Sequence, residues 1–207
     1  RTQLTFTTQP TTNTISTATI AIQVEVQDAF GNLVDDPPNE NIQLLIETDD
    51  SLLGDLNITG GGSTATVGGV ANFAAVNFDK IEQGGGHRIT AQEIPDGTLT
   101  DENSIFFSID PGADDHLAFV QQPTAITTDD ADFTPQVQVE VQDVNDNRTT
   151  TAGTMRIQIG TDDSSGGIQI GGAAFQDQVY AGGLATFSGL DINRISLTTG
   201  HTLSVDR

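Results

Sequence analysis

This 207-residue chain has no cysteine, no tryptophan, one tyrosine and one methionine, and Lys80 is its single lysine. Without cysteine there is no disulfide framework and no thiol chemistry. The three histidines, His87, His116 and His201, stand far apart, whereas zinc needs His or Cys clustered at short spacing. No run of 18 apolar residues occurs, and no basic segment followed by an apolar stretch opens the chain. No spanning helix is therefore predicted, and any signal or anchor is expected outside this sequence. Bases are scarce: 7 Lys and Arg stand against 29 Asp and Glu, for a net charge of −22. A field of that sign repels phosphate backbones and anionic bilayers, which argues against nucleic acid as a partner and against membrane insertion. Split at Pro111, the halves carry 16 acids with 3 bases and 13 acids with 4. The acidity thus belongs to both halves.

What is present is one module written twice, residues 4–91 returning as 117–205. Leu4-Thr-Phe-Thr-Thr-Gln-Pro10 reappears as Leu117-Ala-Phe-Val-Gln-Gln-Pro123, and Val24-Glu-Val-Gln-Asp28 as Val139-Glu-Val-Gln-Asp143. Thr48-Asp-Asp-Ser51 matches Thr161-Asp-Asp-Ser164, and Gly68-Gly-Val-Ala-Asn-Phe73 matches Gly182-Gly-Leu-Ala-Thr-Phe187. Gly86-His-Arg-Ile-Thr-Ala91 matches Gly200-His-Thr-Leu-Ser-Val205. We expect two domains, residues 1–111 and 112–207, each of ordinary domain size. Tandem copying lengthens chains far more often than it builds active sites, so a structural or adhesive role comes first.

Apolar residues alternate with period two, which predicts strands and no helix. The clearest strand puts Ile20, Ile22, Val24 and Val26 inward; its copy uses Val137, Val139 and Val141. Ile42, Leu44 and Ile46 are echoed by Met155, Ile157 and Ile159, and further strands are expected at 4–8, 63–67, 70–76, 87–92 and 103–109. Turn residues stand between them at Gly31-Asn32, Pro37-Pro38, Gly60–Gly62, Gly84–Gly86 and Pro95-Asp-Gly97. About seven short strands per hundred residues predict a Greek-key β-sandwich, with Phe73, Phe187, Phe78 and Ile192 in the core between sheets.

The strings L-x-F-x-x-Q-P, V-x-V-x-D-x-x-G-N, G-G-V-A-x-F and G-H-x-[IL]-[TS]-[AV] resemble the bacterial immunoglobulin-like repeats of large secreted and surface proteins, a group that includes invasin- and intimin-type adhesin stalks. The resemblance covers both copies. It implies an all-β fold of two tandem immunoglobulin-like sandwiches from an extracellular, cell-surface protein. It also implies a spacer or stalk function, with neighbouring repeats as partners. The second copy departs from the pattern at Asp143-Val-Asn-Asp-Asn147, where the first has Asp28-Ala-Phe-Gly-Asn32.

The copies also differ in extent. The first ends in Asn103-Ser-Ile-Phe-Phe-Ser-Ile109, expected to be a closing strand, whereas Arg207 of the second stands where Glu93 stands in the first. The second copy therefore lacks its last strand within this chain. Three explanations stay open: a longer repeat array, a strand donated by a neighbouring subunit in a fibre, or a different fold for the remainder. A paired edge is what an incomplete sheet demands.

For chemistry, Asp143-Val-Asn-Asp-Asn147 reads like the calcium motif of cadherin junctions, and calcium takes six to eight hard oxygen ligands. Asp143, Asn145, Asp146 and Asn147 are calcium candidates, as are Asp110, Asp114 and Asp115 of the junction Asp110-Pro-Gly-Ala-Asp-Asp-His116. The competing reading is a plain turn at 143–147, like that at 28–32, and a solvated acidic surface elsewhere, including Asp35-Asp36, Asp49-Asp50, Asp129-Asp130 and Asp162-Asp163. Asn57 and Asn147 fit the N-glycosylation pattern. No nucleophile-elbow string and no phosphate loop in a strand–helix context occurs, so no enzyme is expected. The other readings are a self-assembling extracellular fibre subunit joined by donor-strand exchange, and a carbohydrate-binding accessory module of a secreted enzyme, which would need an exposed aromatic platform.

Overall fold

Alternation decides which way each strand faces. In the computed structural model, Ile22, Val24 and Val26 are buried while Ala21 and Gln23 face solvent. The structure describes the chain except residues 12, 36–39, 96, 124–130, 165, 168, 195 and 197. The turn expected at Pro37-Pro38, and Asp36, Asp96, Asp129 and Asp130, lie outside the described residues. No helix occurs among the described residues, and the chain divides into two units, Arg1–Gly112 and Ala113–Arg207.

The first unit contains β1 (Gln3–Thr8), β2 (Asn13–Ile15), β3 (Ile20–Gln27), β4 (Asn41–Thr48), β5 (Ile58–Thr59), β6 (Thr64–Ala65), β7 (Val70–Phe78), β8 (Arg88–Ile94), β9 (Glu102–Asn103) and β10 (Ser108–Asp110). Two antiparallel sheets form, in the orders β1-β3-β7-β5 and β6-β4-β8-β9. Leu4, Ile22, Val24, Phe73 and Phe78 of one sheet share a single apolar cluster with Ile42, Leu44, Ile89 and Ala91 of the other. Each sheet is thus apolar on one face, and burying the two faces together is the main favourable term.

The second unit contains β11 (His116–Gln121), β12 (Val137–Gln142), β13 (Gly153–Thr161), β14 (Phe175–Tyr180), β15 (Leu184–Phe187) and β16 (Thr202–Asp206). Its sheets run β11-β12-β15 and β14-β13-β16. The core joins Val137, Val139, Val141 and Phe187 to Met155, Ile157 and Tyr180. All four expected core residues, Phe73, Phe78, Phe187 and Ile192, are buried.

Two register irregularities repeat along with the strands that carry them. Register slips between Phe6 and Thr8 in β1 and between Phe119 and Gln121 in β11. It slips again between Ile46 and Thr48 in β4, and between Ile159 and Thr161 in β13. The hairpins Val67–Val70 and Ala181–Leu184 turn through paired glycines, all four at positive φ, as a tight two-residue hairpin requires. At Gly69 and Gly183 a Cβ would lie 2.3 Å from the Val34 carbonyl oxygen and 2.2 Å from that of Thr149. Glycine is a steric necessity at both.

The closing strand expected at 103–109 is two pieces. β9 pairs with β8 at Thr90 and Ala91. The chain then leaves that sheet, with Ile105 N–H donating to the Gln9 side chain, and β10 pairs in parallel with β2. Phe107 and Ile109 go inward while Ile105 and Phe106 stay exposed. Alternation had located the segment but not the switch of partner.

Candidate functional site

Three groups of polar residues could carry function: the Asp143 loop, the repeated Thr-Asp-Asp-Ser string with its histidine, and the acids near His116. Each is built from atoms outward.

In the Asp143 loop, one carboxylate organises the backbone. Asp143 accepts from Asn145 N–H (2.8 Å), Asn147 N–H (3.0 Å) and the Asn147 side-chain amide (3.1 and 3.2 Å). Asp143 N–H donates to the Asn147 carbonyl (2.9 Å), and Asp146 takes a positive φ of 63°. The first unit matches this bond for bond. Asp28 accepts from Phe30 N–H (2.8 Å), Asn32 N–H (2.9 Å) and the Asn32 amide, with Gly31 at φ 81°. The Asn32 side chain and the N–H groups of Asn32 and Phe30 hold the Asp28 carboxyl below the usual range. These are Asx-type turns closed by their own Asn. The turn engages the Asp143 carboxylate and the Asn147 side chain, two of the calcium candidates, as its counterpart engages Asp28 and Asn32.

The Thr-Asp-Asp-Ser string works with histidine. Asp49 accepts from Ser51 N–H (2.9 Å) and the Ser51 hydroxyl (2.5 Å); Asp162 does the same with Ser164 (2.8 and 2.6 Å). The next acid reaches across to a second loop. Asp50 accepts from the N–H groups of Gly85 (2.6 Å) and Gly86 (3.2 Å). Asp163 accepts from the Ser196 hydroxyl (2.7 Å) and the N–H groups of Thr198 (2.7 Å), Thr199 (2.6 Å) and Gly200 (3.2 Å). That set of donors, led by Ser196, then Thr198 and Thr199, holds the Asp163 carboxyl far below the usual carboxylate range.

Histidine completes the clamp. His87 Nδ1 accepts from Asp50 N–H (3.3 Å) and its Nε2 lies 3.0 Å from the Lys80 carbonyl oxygen. His201 Nδ1 accepts from Asp163 N–H (3.2 Å), with Nε2 3.1 Å from the Arg194 carbonyl. A carbonyl only accepts, so in both rings Nε2 is the donor and Nδ1 the acceptor. In both units, one Asp and one His pin two loops together. Sequence had shown the two histidines to be equivalent; their shared partner was visible only as the neighbouring repeat of Thr-Asp-Asp-Ser.

The acids near the junction fall in different places. Asp110 ends β10 in the first unit and its carbonyl accepts from Ser16 N–H (2.9 Å). Asp114 and Asp115 belong to the second unit. Asp114 accepts from Thr151 (3.2 Å) and from the Arg207 guanidinium (2.5 Å). Burial works against its charge, but Arg207, Thr149 and Thr151 outweigh it and keep the carboxyl below its ordinary value. His116 stands between Asp115 (Nδ1 to Oδ2, 3.0 Å) and Asp146 (Nε2 to Oδ1, 3.4 Å). Asp114, Asp115, His116 and Arg207 line a cavity of about 190 Å³ with Leu117 and Val141. Among the described residues, no three His, Cys, Asp or Glu side chains converge as a metal site would require.

The amides of both glycosylation candidates are engaged. Asn57 Nδ2 donates to Asp79 (2.9 Å), and Asn147 Nδ2 donates to Asp143. Tyr180, the single tyrosine, is buried in the second core and forms no exposed platform.

No family model matches the chain, and no curated protein matches it in sequence. Among solved structures it is similar to a beta-glycosidase from Bacteroides vulgatus, at 13% identity and a TM-score of 0.35, over 99% of this chain and 23% of that one. A likeness that slight bears on neither fold nor chemistry.

Proposed function

We propose that the chain is a pair of immunoglobulin-like spacer modules from the stalk of an extracellular microbial surface protein. One observation carries the reading: the polar residues that recur between the copies are those that clamp loops. Asp28 and Asp143 close the same turn, and Asp50–His87 and Asp163–His201 tie the same two loops. A module selected for catalysis or ligand binding would repeat groups aimed outward at a ligand. These repeat groups aimed at their own backbone, which is what a load-bearing unit needs.

The acidic surface suits this role, since like charge keeps neighbouring stalks apart. The test is mechanical and hydrodynamic. Small-angle scattering of the chain should give an elongated particle, and single-molecule extension should show two unfolding events of similar contour length. A particle with the two units folded back on each other, or unfolding at negligible force, overturns the spacer reading.

A further inference from the structure

Two Asp–Pro bonds occur in the sequence, Asp36–Pro37 and Asp110–Pro111. The first lies outside the described residues. The second ends β10, just before the first unit closes at Gly112. An Asp–Pro bond is chemically weak for two reasons. An oxygen of the aspartate carboxyl can attack its own backbone carbonyl carbon and close a five-membered ring. The group expelled is the proline nitrogen, a tertiary amide nitrogen that carries no N–H and takes a proton more readily than an ordinary amide does.

The structure adds three features at Asp110. Its carboxylate is uncommitted: among the described residues it has no hydrogen-bond or ion-pair partner. The carboxylates of Asp28, Asp50, Asp143 and Asp163, by contrast, are spent on N–H donors. The carbonyl to be attacked is held and polarised. β10 runs parallel to β2 with Asp110 beside Ile15, and Ser16 N–H donates to the Asp110 carbonyl oxygen (2.9 Å). A donor at that oxygen stabilises the negative charge that develops there as the carbon becomes tetrahedral. Finally, Asp110 is exposed and Pro111 half-buried, so water reaches the bond. Glu82 is the titratable side chain bonded to β10, accepting from Ile109 N–H (2.8 Å). β2 brings Asn13, Thr14 and Ile15, none of which titrates.

We propose that Asp110–Pro111 is a self-cleavage site that divides the chain between its two units. A carboxyl oxygen of Asp110 bonds to the Asp110 carbonyl carbon, and the bond from that carbon to the Pro111 nitrogen breaks. The nitrogen takes a proton supplied by mild acid and leaves as the amine of a new N-terminus. Water then opens the cyclic anhydride, giving Asp110 a free side-chain carboxyl and a free α-carboxyl. The sum is one water added across one peptide bond, with nothing oxidised or reduced. The cut falls after β10 and before β11, so each piece keeps its whole apolar core. The proposal rests on the division into two units and is independent of the spacer reading.

The test holds the intact chain in mildly acidic buffer, where circular dichroism shows it folded, and samples it by intact-mass spectrometry. Pieces with the masses of residues 1–110 and 111–207 should accumulate about ten times faster than a synthetic peptide of residues 105–115 is cut, because the peptide lacks the Ser16 donor. Asp110→Glu keeps the charge but must close a larger ring, and Asp110→Asn removes the attacking carboxyl. Each should slow cleavage by about tenfold or more and leave the melting temperature unchanged, since the side chain has no partner to lose. Cleavage at the peptide's rate overturns the site and leaves an ordinary Asp–Pro bond. No cleavage, or Asp110→Glu cut as fast as the parent chain, overturns the side-chain attack. A fall in melting temperature in either variant would show the carboxylate to be engaged, and overturns its role as a free nucleophile.

Discussion

The first unit buries Phe78 under Phe107, while among the described residues no aromatic ring covers the equivalent Ile192 of the second unit. The core strands and the clamps recur around these residues, down to the register slips in β1 and β11, although the sheets of the first unit have four strands each and those of the second three. The framework recurs in both units; in the first, residues 98–110 also cover the core. Loop clamps made of Asp, His and Asn fix the shape locally, and apolar cover supplies stability on top. Separating these two contributions is what a diverged tandem repeat makes possible.

The largest effect expected from breaking the comparison is at Phe107. Replacing it with alanine removes a buried aromatic and should destabilise the first unit by roughly 3–5 kcal/mol. Calorimetry resolved into two transitions should show the first unit's transition fall and the second's stay. The first unit should then resemble the second, with β8 exchanging faster.

A smaller effect should be shared by both units. Gly69→Ala and Gly183→Ala each force a Cβ against a backbone carbonyl at positive φ, and each should lose at least ~1 kcal/mol. Chemical denaturation should give matching losses, because the same hairpin recurs in both units. Unequal losses would mean the frameworks are less alike than their geometry.

Acid should act on the clamps. Asp163 is held ionised in the folded state, so its contribution is complete above the usual carboxylate pKa of about 4. That contribution is lost as pH falls from there through the depressed folded value. Asp163→Asn should lower the second unit's melting temperature at neutral pH and flatten its further fall below about pH 4. Wild-type melting that does not change between neutral and acid pH would contradict the clamp.

The smallest expected effect is that of calcium. The Asp143 carboxylate is already occupied by N–H donors from its own loop. Melting curves in excess calcium and in chelator should coincide. A calcium-dependent rise in the second transition alone would single out Asp114, Asp115, His116 and Asp146 for study.

Much of this was legible in residue order. Period-two alternation located β1, β3, β4, β7 and β8, because a half-buried strand writes its two faces directly into the sequence. β14 was harder: its run Phe175-Gln-Asp-Gln-Val-Tyr180 leaves Phe175 and Val179 exposed and turns Tyr180 inward, so its apolar letters mark the wrong face. β2 and β5 are too short to carry a period. The Asp143 loop was legible as a turn by its kinship to residues 28–32, and a carboxylate that caps N–H groups is spelled like one that binds calcium, so the letters alone do not separate the two. The Asp–His clamp escaped because it joins residues 37 and 38 apart in sequence, and no local pattern encodes that distance.

The most direct measurement is hydrogen exchange on the chain alone, comparing amides of β8 with those of β16. If the cover of residues 98–110 stabilises the first core, β8 should be protected to the full stability of its unit while β16 exchanges far faster. Equal, strong protection in both strands would contradict that account, and the difference between the two units would disappear.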